Sequence, residues 1–380
     1  MALSIEADLD QDVPDSDIAI QRAKDLTDAQ IDLIHVASTQ PGSFIAIKLT
    51  AFYPPSVLKN WTVVLNRLET SIQNRTLSTH FPTLARNLKD SDYSFRSIRH
   101  DYSLLFPNCA SILLQDQPDI KLDLSMITKI NNEMKRMCLE SSQKKVKIIM
   151  DAEQSYFQPA IDDLILALCA EYNASIHDDT TRKSDWKEPM IYNSYQAYLT
   201  STRSRLQKDV EFAFDKGYSI GVKLVRGAYL VSENELAQST STLSPLHKSL
   251  QNTHDSYNSC LDYVLSQIKE TITYKIRPIG FKVASHNRES IQWAGEKMKR
   301  MGIPVDRVTF GQLMGMQDDI MHLLSQSGFL TFKYIPYGPI EEVLPYLHRR
   351  AQENHQIMDS LSQDRSLVVK ELGIRLFNRS

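Results

Sequence analysis

At 380 residues the chain exceeds the commonest single-domain size, yet one large α/β barrel can absorb it. Its 42% hydrophobic and 23% charged residues are those of an ordinary globular protein, and a net charge of −3 supplies no basic field for nucleic acid. No apolar run approaches the ~18–20 residues needed to cross a bilayer, which leaves peripheral membrane attachment open. The four cysteines (Cys109, Cys138, Cys169, Cys260) are scattered, with no CxxC pair or metal-ligand spacing, and read as reduced packing thiols. The start, MALSIEADLDQDVPDSD, is acidic and has no arginine before Arg22, so it is neither a signal peptide nor an Arg-rich transit peptide. The expectation is a cytosolic chain, or one whose true beginning lies outside this sequence.

In chain order, ALSIEAD (2–8) reads as a weak strand and SFIAIKLTA (43–51) as a clear one, followed by the helix SVLKNWTVVLNRLETSI. Residues 68–146 are polar, mixed and helical in pattern. Within them KDSDYSFRSIRHDY has acidic spacing faintly like a calcium loop, without its glycine or closing glutamate. From 147 onward β-branched runs alternate with helical patterns. VKIIMDAE precedes IDDLILALCAEY, EPMIYNSYQ precedes a helix near 197–217, and SIGVKLVRGAY precedes a Ser/Thr-rich loop (238–245) and SYNSCLDYVLSQIKE. RPIGFKVASHN, RVTFGQL and LTFKYIPYG each lead into a further helix, the last at 341–354.

Eight strand–helix units predict a parallel sheet closed as a (βα)8 barrel, and the lack of GxGxxG argues against a Rossmann sheet. The expected organisation is 1–67 for the first two units, with N-terminal elements missing, 68–146 for a helical insertion, and 147–380 for the other six units and the C-terminal segment.

A barrel of this kind carries its site at the C-terminal ends of the strands. Polar residues concentrate there: Lys48, Asp151, Gln196, Lys223, Arg226, Ser285, His286, Asn287, Gln312 and Tyr334, while the strand middles are apolar. Each has a plainer reading alone: Lys48 as a snorkelling lysine, Asp151 as a helix cap, His286 as a structural histidine. Their shared location favours a site. The Gly-Ala step in VRGAY (225–229) would let backbone N–H groups approach a planar or phosphorylated ligand. On the helix at 341–354, Tyr346, Arg349, Arg350 and Glu353 are spaced i, i+3, i+4 and i+7, one face. Helix geometry alone favours an exposed basic pair neutralised by Glu353. A carboxylate clamp is the alternative, since arginine suits bidentate anion binding.

Together FIAIKLTA, MDAEQSYFQPAI, YNSYQAYL, GVKLVRGAYL, VASHN, FGQLMGM and YIPYGPIEEVLPYLHRRAQEN resemble the proline dehydrogenase family of the eukaryotic mitochondrial type, over about 44–354 and in order. The resemblance implies a (βα)8 barrel with its last helix over the mouth and non-covalent FAD inside. It implies oxidation of L-proline to Δ1-pyrroline-5-carboxylate, with electrons passed to a membrane quinone at the matrix side of the mitochondrial inner membrane. By motif, Lys48, Arg349 and Arg350 would hold the proline carboxylate, and Tyr229, Leu313, Tyr334 and Tyr346 would wall the ring. Met150, Gln196, Arg226, Gly227, Ala228, Ser285 and His286 would hold FAD. Asp151 and Lys223 would be the polar pair near the flavin, with no metal.

Family members usually carry helices before the first barrel strand, whereas here Met1 precedes it by a residue or two. They also place in the first strand's loop an acid that pairs with the residue at 223; Glu6, Asp8 and Asp10 are the candidates. Hydroxyproline-oxidising relatives replace the tyrosine matching Tyr334 with a smaller residue, so its retention favours proline over 4-hydroxyproline. Outside the family stand a Schiff-base aldolase built on Lys48 or Lys223, and a truncated remnant that no longer retains FAD.

Overall fold

The computed structural model describes the backbone at 2–3 and residues 15–88, 94–174, 188–274, 278–341, 343–344, 347–348 and 369–376. The strands are β1 (Ala2–Leu3), β2 (Phe44–Ile47), β3 (Lys147–Met150), β4 (Ile191–Gln196), β5 (Ile220–Val225), β6 (Ile279–Ala284), β7 (Val308–Leu313), β8 (Leu330–Tyr334) and β9 (Pro336–Tyr337). Between them run α1 (Ser16–Ala37), α2 (Leu49–Phe52), α3 (Pro55–Gln73), α4 (Leu77–His80), α5 (Pro82–Asn87), α6 (Phe95–Asp101), α7 (Pro107–Gln115) and α8 (Leu124–Lys144). They are followed by α9 (Gln158–Tyr172), α10 (Thr202–Lys216), α11 (Leu230–Ser239), α12 (Leu250–Tyr274), α13 (Arg288–Met301) and α14 (Asp318–Gln326). None of the described helices is long and apolar enough to cross a membrane.

Seven strands, β2 to β8, form a curled, wholly parallel sheet in sequence order, the α/β layer that strand–helix alternation predicts. At its β2 edge β1 pairs through Ala2↔Ala46, and β1 also pairs with β9 through Ala2↔Pro336 and Leu3↔Tyr337. The weak strand expected at 2–8 is described only as Ala2–Leu3, and the remainder lies outside the described residues. Pattern alone did not single out α1, ahead of the polar 68–146 stretch, or α8 at its end. α1 packs along α8, and α8 leads directly into β3. The Ser/Thr-rich 238–245 loop is preceded by α11, a mainly polar ten-residue helix.

Side chains alternate between the two faces of each strand, so each strand divides into a helix-facing and a concave set. Ile45, Ile47, Ile148, Met150, Val222 and Phe281 join the large core beneath the helices. On the other face Phe44, Ala46, Ile149, Tyr192 and Tyr334 form a separate small cluster. The sheet curls enough that the rings of Phe44 on β2 and Phe332 on β8 lie 5.7 Å apart.

At the amino end of this concave face, Lys147 and the wholly buried Lys282 both bond Glu188, which also accepts from the Tyr192 hydroxyl. Burial pushes Lys282 down to about 7, against the pull of Glu188. Outside the sheet a second buried polar group ties the helical stretch to α9. Asp163 accepts from Trp61 Nε1 at 2.8 Å, Ser103 Oγ at 2.9 Å and Leu104 N at 3.0 Å. Burial raises its carboxyl despite Arg99 nearby.

Tyr192 fills the concave face because its neighbours on β5 and β6 are glycines. A Cβ on Gly221 would lie 2.4 Å from Ile191 O and 2.7 Å from Tyr192 Cγ, and one on Gly280 would lie 2.2 Å from the Tyr192 hydroxyl. The first contact is with backbone that cannot swing aside. Gly221→Ala is therefore expected to cost about 1–3 kcal/mol by overpacking, read as a lower midpoint in chemical denaturation; an unchanged midpoint would show that the β4–β5 approach is slack.

Candidate active site

β3 ends at Met150, and the next residue keeps the ladder by donating Asp151 N–H to Ile47 O at 2.8 Å. Strand alternation then turns the Asp151 side chain to the concave face, where Lys223 Nζ meets its Oδ1 at 2.6 Å. Between them on β4 stands Ser194, in register with Lys223, and its small hydroxyl turns away to donate to Met150 O at 2.7 Å. Tyr334, from the far edge of the sheet, donates its hydroxyl to Asp151 Oδ2 at 3.3 Å and lays its ring 5.6 Å from Lys223 Nζ. The Lys223 and Asp151 side chains are 10% and 14% exposed, so the pair is sheltered.

Lys48 closes β2 on the same face, with Nζ 5.9 Å from the centre of the Tyr229 ring. Beneath it lies Glu153, a buried carboxylate that sequence reasoning passed over although it stands inside MDAEQ. Glu153 accepts from Thr50 N at 3.0 Å and from the Thr50 hydroxyl. Burial raises its carboxyl, while Lys48 and the Thr50 bonds act against that. Gln196, almost fully buried, donates to Glu153 O at 2.7 Å and so ties β4 to the same loop. Farther along that loop Ser155 donates both its N–H and its hydroxyl, at 2.5 and 2.6 Å, to the buried Glu233 of α11.

Beyond β5 the chain turns through Arg226 and Gly227. Gly227 has φ +143°, and a Cβ there would fall 2.4 Å from the Tyr198 ring, so only glycine lets the backbone lie so close. Arg226 donates Nε to His254 Nδ1 at 2.9 Å and its terminal nitrogens to Ser285 Oγ at 2.7 Å and Ser290 Oγ at 3.0 Å. The Tyr257 ring centre is 4.2 Å from the guanidinium carbon. Every described partner of Arg226 is neutral, and burial lowers its pKa. A half-buried cation with neutral partners keeps its charge available to an anion, which is the chemistry a phosphorylated or anionic cofactor requires.

His286, just past β6, accepts from Leu313 N at 3.1 Å through Nε2, leaving the proton on Nδ1. Burial first, then Lys333 and Arg226, pushes it down to about 4, so it is a neutral acceptor at ordinary pH. The strand ends thus bring together Asp151, Lys223 and Tyr334 in one cluster, Lys48 with Tyr229 in a second, and Arg226 with Ser285 in a third. Leu313 joins through its backbone, and Ala228 lies half-buried between Gly227 and Tyr229. Met150 does not join them. Its parity sends the side chain into the helix-facing core, and only its carbonyl faces the site's supports. Gln312 shares the outer face with Lys333, which donates to it at 3.2 Å. Tyr346, Arg349, Arg350 and Glu353, like Glu6, Asp8 and Asp10, lie outside the described residues.

A curled parallel sheet covered by helices, with ionic and aromatic side chains gathered at the carboxyl ends of its strands, defines the class: an α/β protein whose candidate site lies at the strand ends. Residues 7–363 match the family model of proline dehydrogenase, and the chain belongs to that family. It is 34% identical over 353 residues to proline dehydrogenase 1, mitochondrial, of Dictyostelium discoideum, covering 91% of this chain and 56% of that protein. To proline dehydrogenase 1, mitochondrial, of Homo sapiens it is 38% identical over 252 residues, 66% of this chain and 39% of that one. To hydroxyproline dehydrogenase of Bos taurus it is 38% identical over 249 residues, 65% and 51%. The chain therefore spans from about two fifths to somewhat over half the length of these relatives. Its fold resembles that of proline utilization A from Bdellovibrio bacteriovorus inactivated by N-propargylglycine, with a TM-score of 0.61 at 18% identity, over 93% of this chain and 29% of that one.

Removing one partner of a sheltered ion pair strands the other charge. Asp151→Asn is expected to lower stability by about 3 kcal/mol, and adding Lys223→Met to that variant should restore most of the loss. A stability of Asp151→Asn equal to the parent's in denaturant titration would show that the pair is not a constraint on the sheet.

Proposed function

We propose that the chain is a flavin-dependent L-proline dehydrogenase that forms Δ1-pyrroline-5-carboxylate. The family is flavin-dependent, and the observation that carries the reading here is Arg226, a half-buried cation whose described partners are all neutral, just past the end of the strand that carries Lys223. Bound FAD would supply the hydride acceptor for proline C5. Arg226, Ser285, His286, Gln196 and the Gly227–Ala228 backbone would hold it, with Met150 contributing through its backbone.

The chain's own residues do the positioning. By their match to the family motifs, Lys48, Arg349 and Arg350 are assigned to the substrate carboxylate, and Tyr229, Leu313, Tyr334 and Tyr346 to the wall around the ring. Asp151 fixes Lys223 and Tyr334, and Lys223 would stabilise the negative charge that a bound flavin gains as hydride leaves the substrate. The amine proton passes to water, because no strong base is needed to release it. The β1 pairings to both β2 and β9 support closure of the sheet into a (βα)8 barrel, and the family resemblance supports an insertion at 68–146 after the second unit and a last helix over the mouth. A quinone acceptor and peripheral contact with the mitochondrial inner membrane complete the reading, and the exposed Ile340, Leu344 and Leu347 suit such a contact.

The test is steady-state kinetics of the FAD-loaded chain with an artificial quinone. Tyr334 donates to Asp151 and narrows the site, so L-proline should be clearly preferred to 4-hydroxyproline; comparable kcat/KM on the two would refute that preference. Arg349→Ala and Arg350→Ala should each raise KM for proline about ten- to a hundredfold, the loss of a charge-assisted bond worth ~1.5–3 kcal/mol. The double variant should fall short of the sum, because both guanidiniums share one anion.

A further inference from the structure

The Arg226 socket contains a residue that none of the sequence motifs covers. α12 presents His254, Tyr257 and Asn258, spaced i, i+3 and i+4, to the turn after β5. His254 takes the Arg226 Nε–H, the Tyr257 ring lies against the guanidinium, and Asn258 Oδ1 accepts at 2.7 Å from Ser290 Oγ, which in turn receives from Arg226. A guanidinium has five N–H donors in a rigid plane. Nε is spent on His254, and one N–H on each terminal nitrogen is spent on Ser285 and Ser290, which leaves one on each terminal nitrogen for a ligand. Because the fork is rigid, the bond at Nε fixes where those remaining two point.

We infer that His254 is a positioning residue: by accepting the Nε–H of Arg226 through Nδ1, it holds the guanidinium fork in the orientation that binds the anionic part of the cofactor. This rests on the flavin reading above. A serine or carbonyl could accept the same proton, but a carboxylate would neutralise the cation it is meant to present. A neutral imidazole accepts without cancelling charge.

That role requires the Nε2–H tautomer, with Nδ1 unprotonated. Protonation at Nδ1 would remove the acceptor and set an imidazolium against the guanidinium. Burial first, then Arg226, lowers the His254 pKa, while Asp255 on its own helix and Glu289 on α13 raise it. With a depressed value in the folded state, the contribution of His254 is complete above its ordinary 6.5 and is lost as pH falls through the depressed value. His286 is also held down, to about 4, by burial first and then by Lys333 and Arg226.

The experiment measures FAD affinity from the fluorescence of free flavin as a function of pH, in the parent, His254→Ala and His254→Asn. Asn places Oδ1 where Nδ1 stood and cannot titrate. His254→Ala should weaken FAD by about 10- to 100-fold at neutral pH. His254→Asn should restore most of that affinity and flatten the fall at acid pH. In the FAD-free chain, Arg226→Ala should move the His254 NMR titration upward. Parent-like affinity of His254→Ala, an acid limb that persists in His254→Asn, or an unmoved His254 titration would each overturn the inference alone. A parent chain that takes up no FAD at any pH would overturn the flavin reading and, with it, this inference.

Discussion

Lys223 and Lys282 stand side by side in register on β5 and β6, both facing the concave side of the sheet. Like charges directly opposed on neighbouring strands repel, and the rest of the site is arranged around the way this pair is resolved. Lys223 turns to the carboxyl end and meets Asp151, and Lys282 turns to the amino end and meets Glu188. The two halves of the concave face thereby acquire different characters. At the amino end Glu188 gathers two lysines and a tyrosine beside the Phe44 ring. At the carboxyl end Asp151 gathers, among the described residues, Lys223 and the Tyr334 hydroxyl.

The glycines complete the separation. Gly221 and Gly280, one step before each lysine on the same face, make room for Tyr192, which plugs the space between the two ionic groups. Ser194, small and turned to a backbone carbonyl, leaves the gap through which Lys223 reaches Asp151. A parallel strand can present only every second residue to one face, so IGVKLV and IGFKVA each spend their concave positions on a glycine, a lysine and a small or branched residue.

Much of this was legible in the sequence. Strand parity puts Lys48, Asp151, Gln196, Lys223, Leu313 and Tyr334 on one face, whereas the glycine of VRGAY, read from the sequence as room for a ligand, is required by the Tyr198 ring against it. Less legible were the parts decided by helix docking. α11 is largely polar, and its buried Glu233 is explained only by the Ser155 loop it clamps. His254 looks like any polar residue on a long amphipathic helix until the turn of α12 sets it against Arg226. Glu153 sat inside a recognised motif, but its partner Thr50 is 103 residues away. Met150 shows the converse: a motif neighbour of Asp151 whose parity sends its side chain to the opposite face.

The central claim is that the carboxyl end of the concave face binds a flavin and delivers L-proline to it. The most direct measurement is the absorption spectrum of the FAD-loaded chain without oxygen, before and after addition of L-proline. The account predicts that the long-wavelength flavin band bleaches in the parent and persists when Lys223 is replaced by Met. A band that L-proline leaves unchanged in the parent would contradict it.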